Sequence, residues 1–200
     1  MVEKNLVCTV PSQPILLLLP LLIFLGGLYA QTAKPFETLD IGLQYIANTN
    51  RNELHDYWKP RQGVAGFLVT PFYYGYAQAG VQVLPYRGKG GGLSDFTNAF
   101  IYLGWGIKWS LPCKLDWFNS LNVGNNLMVF AKAEKEAMTE SELGIGFNSC
   151  LSYNVNKRWA VCISGFSEII YTHKRIKLTF ISAGLSYSVS TPRTLREFLE

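Results

Sequence analysis

The sequence has little of what most enzymes carry. It contains only two histidines, His55 and His173, and four cysteines among 200 residues. No His/Cys spacing is typical of a metal site, no GxSxG motif occurs, and the glycines within 88–92 precede no helix that could make a phosphate loop. We therefore expect no metal and no cofactor. The net charge of +4 is mild and dispersed, so we also expect no binding of nucleic acid.

Long apolar runs are scarce too. The one clear run spans 15–28, after Lys4 and before the small residue Ala30. This order is typical of a secretory signal peptide, and its length of about 14 residues is less than the roughly 20 that a spanning helix needs. We expect 1–30 to be a cleaved signal peptide, with a retained anchor as the alternative. Beyond Ala30 no run could span a bilayer as a helix, so any spanning segments must be strands.

The rest of the chain alternates apolar and polar residues with the period of a β-strand. In 101–110, Ile101, Trp105 and Trp109 share one face, while Gly104 and Lys108 share the other. Such a strand suits a barrel wall with lipid outside and a narrow lumen inside. The eight predicted strands are 38–46, 63–70, 74–84, 101–110, 121–131, 142–153, 159–170 and 175–189. A barrel of ten strands is the alternative, if part of 48–62 or of 113–120 pairs with a neighbouring strand.

These strands predict an all-β fold, a transmembrane antiparallel up-and-down β-barrel. The parity of the eighth strand changes near Phe180 and Ile181, where we predict a β-bulge. Long polar connections alternate with shorter ones, such as 111–120, and the short ones should face the periplasm. Aromatic residues near the short connections predict an interfacial girdle: Tyr73, Tyr74, Trp109, Trp117, Tyr153, Trp159 and Tyr187. The alternative is a soluble barrel or sandwich with these rings in its core.

The polar face of the predicted strands defines a lumen. An eight-stranded barrel is just filled by its own side chains, so these groups should bond to one another and to water. Lys108 needs an acidic partner, because an unpaired buried charge is costly. The predicted polar network consists of Asp40, Gln44, Gln78, Gln82, Lys108, Asn122, Asn126, Glu142, Asn148 and Glu168.

The pattern resembles the small eight-stranded outer-membrane β-barrel proteins of Gram-negative bacteria over nearly all of the mature chain. The sharpest local match is 182–189, where Ser182, Gly184, Tyr187 and Val189 look like the last-strand signal read by the barrel-assembly machinery. Two departures are Val189 in place of an aromatic residue and a tail, 190–200, beyond the strand. The resemblance implies an outer-membrane location, a barrel over 31–189 and a periplasmic tail. It also implies outer-membrane lipids and the assembly machinery as partners.

Three cysteines lie in the predicted mature chain. Cys150 and Cys162 are placed symmetrically about Asn156, so an odd-numbered loop would put them directly opposite each other in the lumen, with Tyr153 opposite Trp159 outside. Directly opposed cysteines can form a disulfide in an oxidising compartment, although two free thiols are the alternative. Cys113 falls in a periplasmic turn and is expected to be free.

Three functions remain open. The first is a non-enzymatic anchor, binding scaffold or subunit of an envelope complex, whose outward loops, with Tyr57, Trp58 and Phe96, or whose tail contact other envelope proteins. The second is a lipid-modifying enzyme, because His55 in one outward loop and Ser94 and Asp95 in the next loosely resemble the palmitoyl-transfer barrels. The third is a narrow pore. We expect the first, since loops are commonly rich in Ser, Asp and His.

Overall fold

The computed structural model describes residues 34–90, 92–131 and 139–192. The predicted signal peptide, residues 193–200 of the tail and much of the charged connection before 139 lie outside the described residues. No helix in the described part of the chain is long and apolar enough to cross a membrane. The elements are β1 (Thr38–Asn48), α1 (Leu54–Tyr57), β2 (Trp58–Pro60), β3 (Gly63–Phe72), β4 (Gly75–Gly88), β5 (Phe96–Leu111), β6 (Leu115–Phe130), β7 (Thr139–Asn154), β8 (Trp159–Ile170) and β9 (Ile176–Ser190).

Eight long antiparallel strands form a closed barrel. Consecutive strands pair from β3 to β9, and β1 closes the ring by pairing with both β3 and β9. The predicted fold is therefore confirmed, and the ten-stranded alternative is wrong. The extra strand β2 continues the line of β3 along β4. Pro60 pairs with Tyr86 and Val64 pairs with Val83, so the chain advances four residues from β2 to β3 while β4 advances three. β2 and β3 are therefore two parts of one wall strand, separated by a one-residue bulge.

The predicted bulge in the last strand is wrong. β9 keeps one register throughout its ladder with β8 and one throughout its ladder with β1, and Phe180 pairs with Phe166 on one side and Asn48 on the other. Leu178 and Phe180 face the lumen and are buried there. The parity change in the sequence therefore reflects a change in what fills the lumen, from polar groups to an apolar layer, while the wall stays regular.

The short connections are tighter than the sequence predicts. The expected turn at 111–120 spans only 112–114, because β6 begins at Leu115 and Trp117 pairs with Trp109. Cys113 and Lys114 adopt positive φ angles of 64° and 63°, which reverse the chain in few residues. The other two short turns are 73–74 and 155–158. All three lie at one end of the barrel, and α1 and the longer connections lie at the other.

The two faces of the wall have opposite chemistry. Large apolar side chains stand on the outer face, with Leu43, Leu103 and Leu121 exposed by 67%, 71% and 64%. Such a continuous apolar surface is costly in water and suits lipid. On the inner face, aromatic rings lie over glycines. A Cβ on Gly42, Gly80 or Gly146 would overlap the ring of Phe67, Tyr102 or Phe166. The glycines therefore make the room that these rings fill.

Candidate functional site

The lumen is sealed by an apolar layer near the long-loop end. Phe100, Tyr102 and Phe166 form a chain of ring contacts with centroids 5.1–6.0 Å apart. Tyr86 stacks on Phe96 above them at 4.7 Å, and Ile170, Leu178 and Phe180 complete the layer. The alternation of the strands does not reveal this layer. The even parity of Leu178 and Phe180 was the available signal, but parity alone does not say whether an apolar face meets lipid or a lumen.

Below this layer, amides and hydroxyls from neighbouring strands bond to one another. Gln44 donates from Nε2 to Ser164 Oγ (3.1 Å) and accepts from Ser182 Oγ (3.1 Å). On the opposite side of the lumen, Ser120 Oγ on β6 donates to Gln78 Oε1 on β4, and Asn122 Nδ2 donates to Ser120 Oγ at 3.2 Å. Each set of bonds links strands on one side of the barrel, β1, β8 and β9 in the first set and β4 and β6 in the second.

Glu168 lies at the upper edge of the polar layer. Its Oε1 accepts from Asn126 Nδ2 at 2.6 Å, and Asn126 Oδ1 accepts from Asn98 at 2.9 Å. Its Oε2 has no hydrogen-bond partner among the described residues. The remaining predicted lumen residues also face inward: Gln82, Asn122 and Asn148 are buried and Glu142 is half-buried near the loops. The sequence parity thus places the whole predicted set on the inner face.

The single lysine of the predicted lumen set lies near the short-turn end. Lys108 Nζ is 3.0 Å from Asp40 Oδ2 and 4.9 Å from the centre of the Tyr76 ring. Asp40 Oδ1 also accepts from Ser188 Oγ, so β5, β1 and β9 meet at this pair. Asp40 is thus the acidic partner predicted for Lys108.

The cysteines are placed differently from the prediction. The loop of the β7–β8 hairpin spans four residues, so Cys150 pairs with Ser164 and Cys162 with Ser152. Cys150 and Cys162 are therefore diagonal neighbours, and both are free and buried. Tyr153 likewise pairs with Val161 and not with Trp159, whose ring lies 4.8 Å from that of Tyr187 on β9. Cys113 is free and exposed.

The predicted girdle residues gather at the short-turn end. The rings of Trp109 and Trp117 are 5.3 Å apart on neighbouring strands, and Tyr74 is 85% exposed at the tip of the β3–β4 turn. The predicted assembly signal from Ser182 to Val189 lies on β9, with Ser182 and Gly184 facing the lumen and Val189 facing outward. It pairs with β1 on one side and with β8 on the other.

The loop residues that suggested an enzyme serve to anchor the loops. His55 is buried on α1, and its Nδ1 accepts from the backbone N–H of Asn52 at 3.1 Å. Asp95 Oδ1 accepts from the backbone N–H of Gly88 at 2.9 Å. The carbonyl oxygen of Ser94 accepts from the Trp58 indole at 2.9 Å. His173 is exposed in the β8–β9 loop.

These contacts join the first two long connections into one cap. The Lys89 N–H donates to Tyr57 O at 2.9 Å, and Lys89 Nζ donates to His55 O. The Trp58 ring meets Phe96 edge to face at 5.5 Å. Phe96 is buried in the barrel mouth, so its predicted place on a contact surface is wrong, whereas Tyr57 is exposed. Burial and the nearby Lys89 ammonium lower the pKa of His55 below its usual 6.5.

Comparison with known proteins finds similarity of fold only. No family model matches the chain, and no curated protein matches it by sequence. The N-terminal β-barrel domain of Pseudomonas aeruginosa OprF aligns with a TM-score of 0.53 at 7% identity, covering 78% of this chain and 100% of that one. Neisserial surface protein A aligns with a TM-score of 0.51 at 10% identity, covering 76% of this chain and 97% of that one. Ail of Yersinia pestis, in complex with the heparin analogue sucrose octasulfate, aligns with a TM-score of 0.51 at 13% identity, covering 78% of this chain and 100% of that one.

The closed barrel, its apolar outer face and these neighbours together define the class. The chain has the fold of the small eight-stranded outer-membrane β-barrels of Gram-negative bacteria, as the sequence resemblance predicted. It is a barrel of the outer-membrane type, with an apolar outer wall and a lumen filled by its own side chains.

Proposed function

We propose that the protein is a non-enzymatic barrel of the outer membrane that serves as an anchor, a binding scaffold or a subunit of an envelope complex. The observation that carries this proposal is the sealed lumen. The cavity between Gln44, Gln78 and Phe166 holds about 20 Å³, room for about one water molecule. Because the lumen is filled, a ligand would bind at the outward-facing surface of the barrel.

The cap formed by the first two long connections supports a binding role. Its bonds between Trp58 and Ser94 and between Lys89 and Tyr57 fix the loops in one arrangement, which lowers the entropic cost of binding. Tyr57 stands 57% exposed on this cap, and exposed tyrosines are enriched in binding surfaces. Among the structural neighbours, Ail is described as an attachment invasion locus protein and was crystallised with a heparin analogue.

The proposed partners are of three kinds. Outer-membrane lipids would surround the apolar wall. The barrel-assembly machinery would read β9, where Ser182, Gly184 and Tyr187 match its signal and Val189 stands in place of its final aromatic residue. Other envelope proteins would bind the outward loops or the C-terminal tail, and we propose no contact with nucleic acid.

The test is the native mass of the protein after extraction from outer membranes in mild detergent, with identification of co-migrating proteins. A defined assembly that dissociates when Tyr57→Ser is introduced would support the proposal. The matched control is Tyr74→Ser, which removes an exposed tyrosine from the opposite end. A solitary monomer that changes lipid composition, and loses this activity in His55→Ala, would replace the proposal with the enzyme. A steady conductance in planar bilayers would replace it with the pore.

A further inference from the structure

A basic cleft lies on the outside of the barrel mouth, at the bulge between β2 and β3. Its lining includes Lys59, Arg61 and Arg87, together with the uncharged residues Ala47, Asn48, Pro60, Gln62 and Pro85. The cleft is about 670 Å³ in volume and open to the outside. No carboxylate of the described residues lines it. Three cations thus share a concave surface that has no acidic side chain of its own.

Two of these cations oppose each other directly. Lys59 on β2 is the cross-strand partner of Arg87 on β4, and both side chains point outward. Like charges in this position destabilise a sheet. The ion pairs among the described residues are Lys108–Asp40 and Lys174–Glu53, so neither Lys59, Arg61 nor Arg87 has a counter-ion there. The repulsion between Lys59 and Arg87 lowers the stability of the free protein, and a bound anion would relieve it.

A second cleft of about 490 Å³ continues the basic surface. It shares Asn48, Lys59 and Pro60 with the first and adds Arg51 and Lys89. Asp56 on α1 lines neither cleft. The two clefts are therefore adjacent, and five cations line one or the other of them, which fits a ligand that carries more than one negative group.

The position of the cleft suits the headgroup layer of the outer leaflet. Val64 is the first exposed apolar residue of β3, and Arg61 lies three residues before it. At roughly 3.4 Å per residue, this places Arg61 about 10 Å along the strand beyond the apolar surface. The polar layer of a bilayer begins at the edge of the hydrocarbon, so a wall whose apolar surface ends at Val64 would place Arg61 in the headgroup layer.

We propose that this cleft binds the phosphate groups of an outer-leaflet lipid, with Arg61 and Arg87 bonding phosphate oxygens and Lys59 adding a point charge. Arginine is suited to bidentate bonding of phosphate, and basic side chains near an anionic membrane surface each strengthen binding. The inference rests on the proposed contact with outer-membrane lipids and is independent of any protein partner.

The experiment measures the binding of purified barrel in phosphatidylcholine nanodiscs that contain increasing amounts of bis-phosphorylated lipid A. The variant Lys59→Gln/Arg61→Gln/Arg87→Gln is compared with Lys174→Gln/Arg175→Gln/Lys177→Gln, which removes the same charge from the β8–β9 loop and the start of β9. We expect affinity for lipid A to fall about 100-fold in the cleft variant, at about fivefold per cation. The control variant should retain near wild-type affinity.

A second readout separates loss of binding from loss of folding. The single variant Lys59→Gln should unfold at a higher temperature than wild type in neutral detergent, because the repulsion with Arg87 is gone, and yet gain less from lipid A. Equal loss of affinity in the cleft and control variants would overturn the proposal, as would no lipid A binding by wild type. If inorganic pyrophosphate in detergent stabilises wild type as strongly as lipid A does, the ligand is a soluble phosphate and the lipid assignment is wrong. These outcomes do not depend on whether the native-mass experiment finds a protein partner.

Discussion

Cys150 and Cys162 lie diagonally across the β7–β8 ladder, each opposite a serine and two residues away from facing the other. Both thiols are buried in the lumen, where Cys162 Sγ accepts from Gln44 Nε2 at 3.3 Å and Cys150 Sγ lies 3.6 Å from Ser152 Oγ. The thiols are thus part of the polar packing between the barrel strands, and the third cysteine, Cys113, is exposed in a turn.

We expect the folded barrel to present one reactive thiol. Chain beginning at residue 31, treated with a maleimide in detergent, should gain one adduct, at Cys113, because alkylation needs an accessible thiolate. After denaturation it should gain three. Peptide mass spectrometry locates the adducts, and Cys113→Ser should gain none while folded. Failure of Cys150 and Cys162 to react in denaturant without reductant would instead reveal a disulfide between them.

We expect Gly184→Ala to destabilise the barrel by about 1–3 kcal/mol, the usual cost of overpacking. A Cβ on Gly184 would lie 2.0 Å from Leu43 O and 2.7 Å from the Cα of Gln44, both backbone atoms that cannot turn aside. The matched control is Gly165→Ala, because a Cβ there meets nothing within 4 Å. Urea unfolding in lipid vesicles measures both variants. Equal stability of the two would show that β1 and β9 can separate without cost.

We expect Lys108→Gln to cost about 1–2 kcal/mol, between the values for exposed and buried ion pairs, because Lys108 and Asp40 are both about one-fifth exposed. Asp40 keeps its bond from Ser188, which limits the loss. A double-mutant cycle with Asp40→Asn isolates the pair. The double variant should recover part of the loss, since it leaves no uncompensated charge. Strictly additive losses would mean that the two charges do not interact.

Much of this fold could be predicted because alternation has a period of two. The parity of Asp40, Gln44 and Lys108 places them on one face whichever partner strands they have, and closure of an eight-stranded barrel brings that face inside. The identity of the contacts could not be predicted in this way. Lys108 is 68 residues from Asp40 in sequence, and their meeting depends on the stagger of strands around the ring.

The errors have a common origin in register. Pro112 signals a turn, but the sequence gives no length for it, so 115–120 was assigned to the turn although it belongs to β6. One residue of loop length likewise decides whether Cys150 faces Cys162 directly or diagonally. Phe96 is predicted to lie on a contact surface because the sequence places it within an outward loop. Its burial depends on Trp58 and Tyr86, which are distant in sequence.

The cap should loosen in acid because of His55. Burial and Lys89 lower the pKa of His55 in the folded cap, so the unfolded loop binds a proton more readily. The stability that neutral His55 contributes is therefore complete above pH 6.5 and is lost as the pH falls through and below that value. Amide hydrogen exchange of residues 52–58 should accelerate between pH 7.5 and pH 5, after correction for the intrinsic pH dependence. His55→Gln should remove this extra acceleration, whereas His173→Gln, in the exposed β8–β9 loop, should keep it. A cap equally protected at both pH values would mean that the His55 ring can charge without leaving its site.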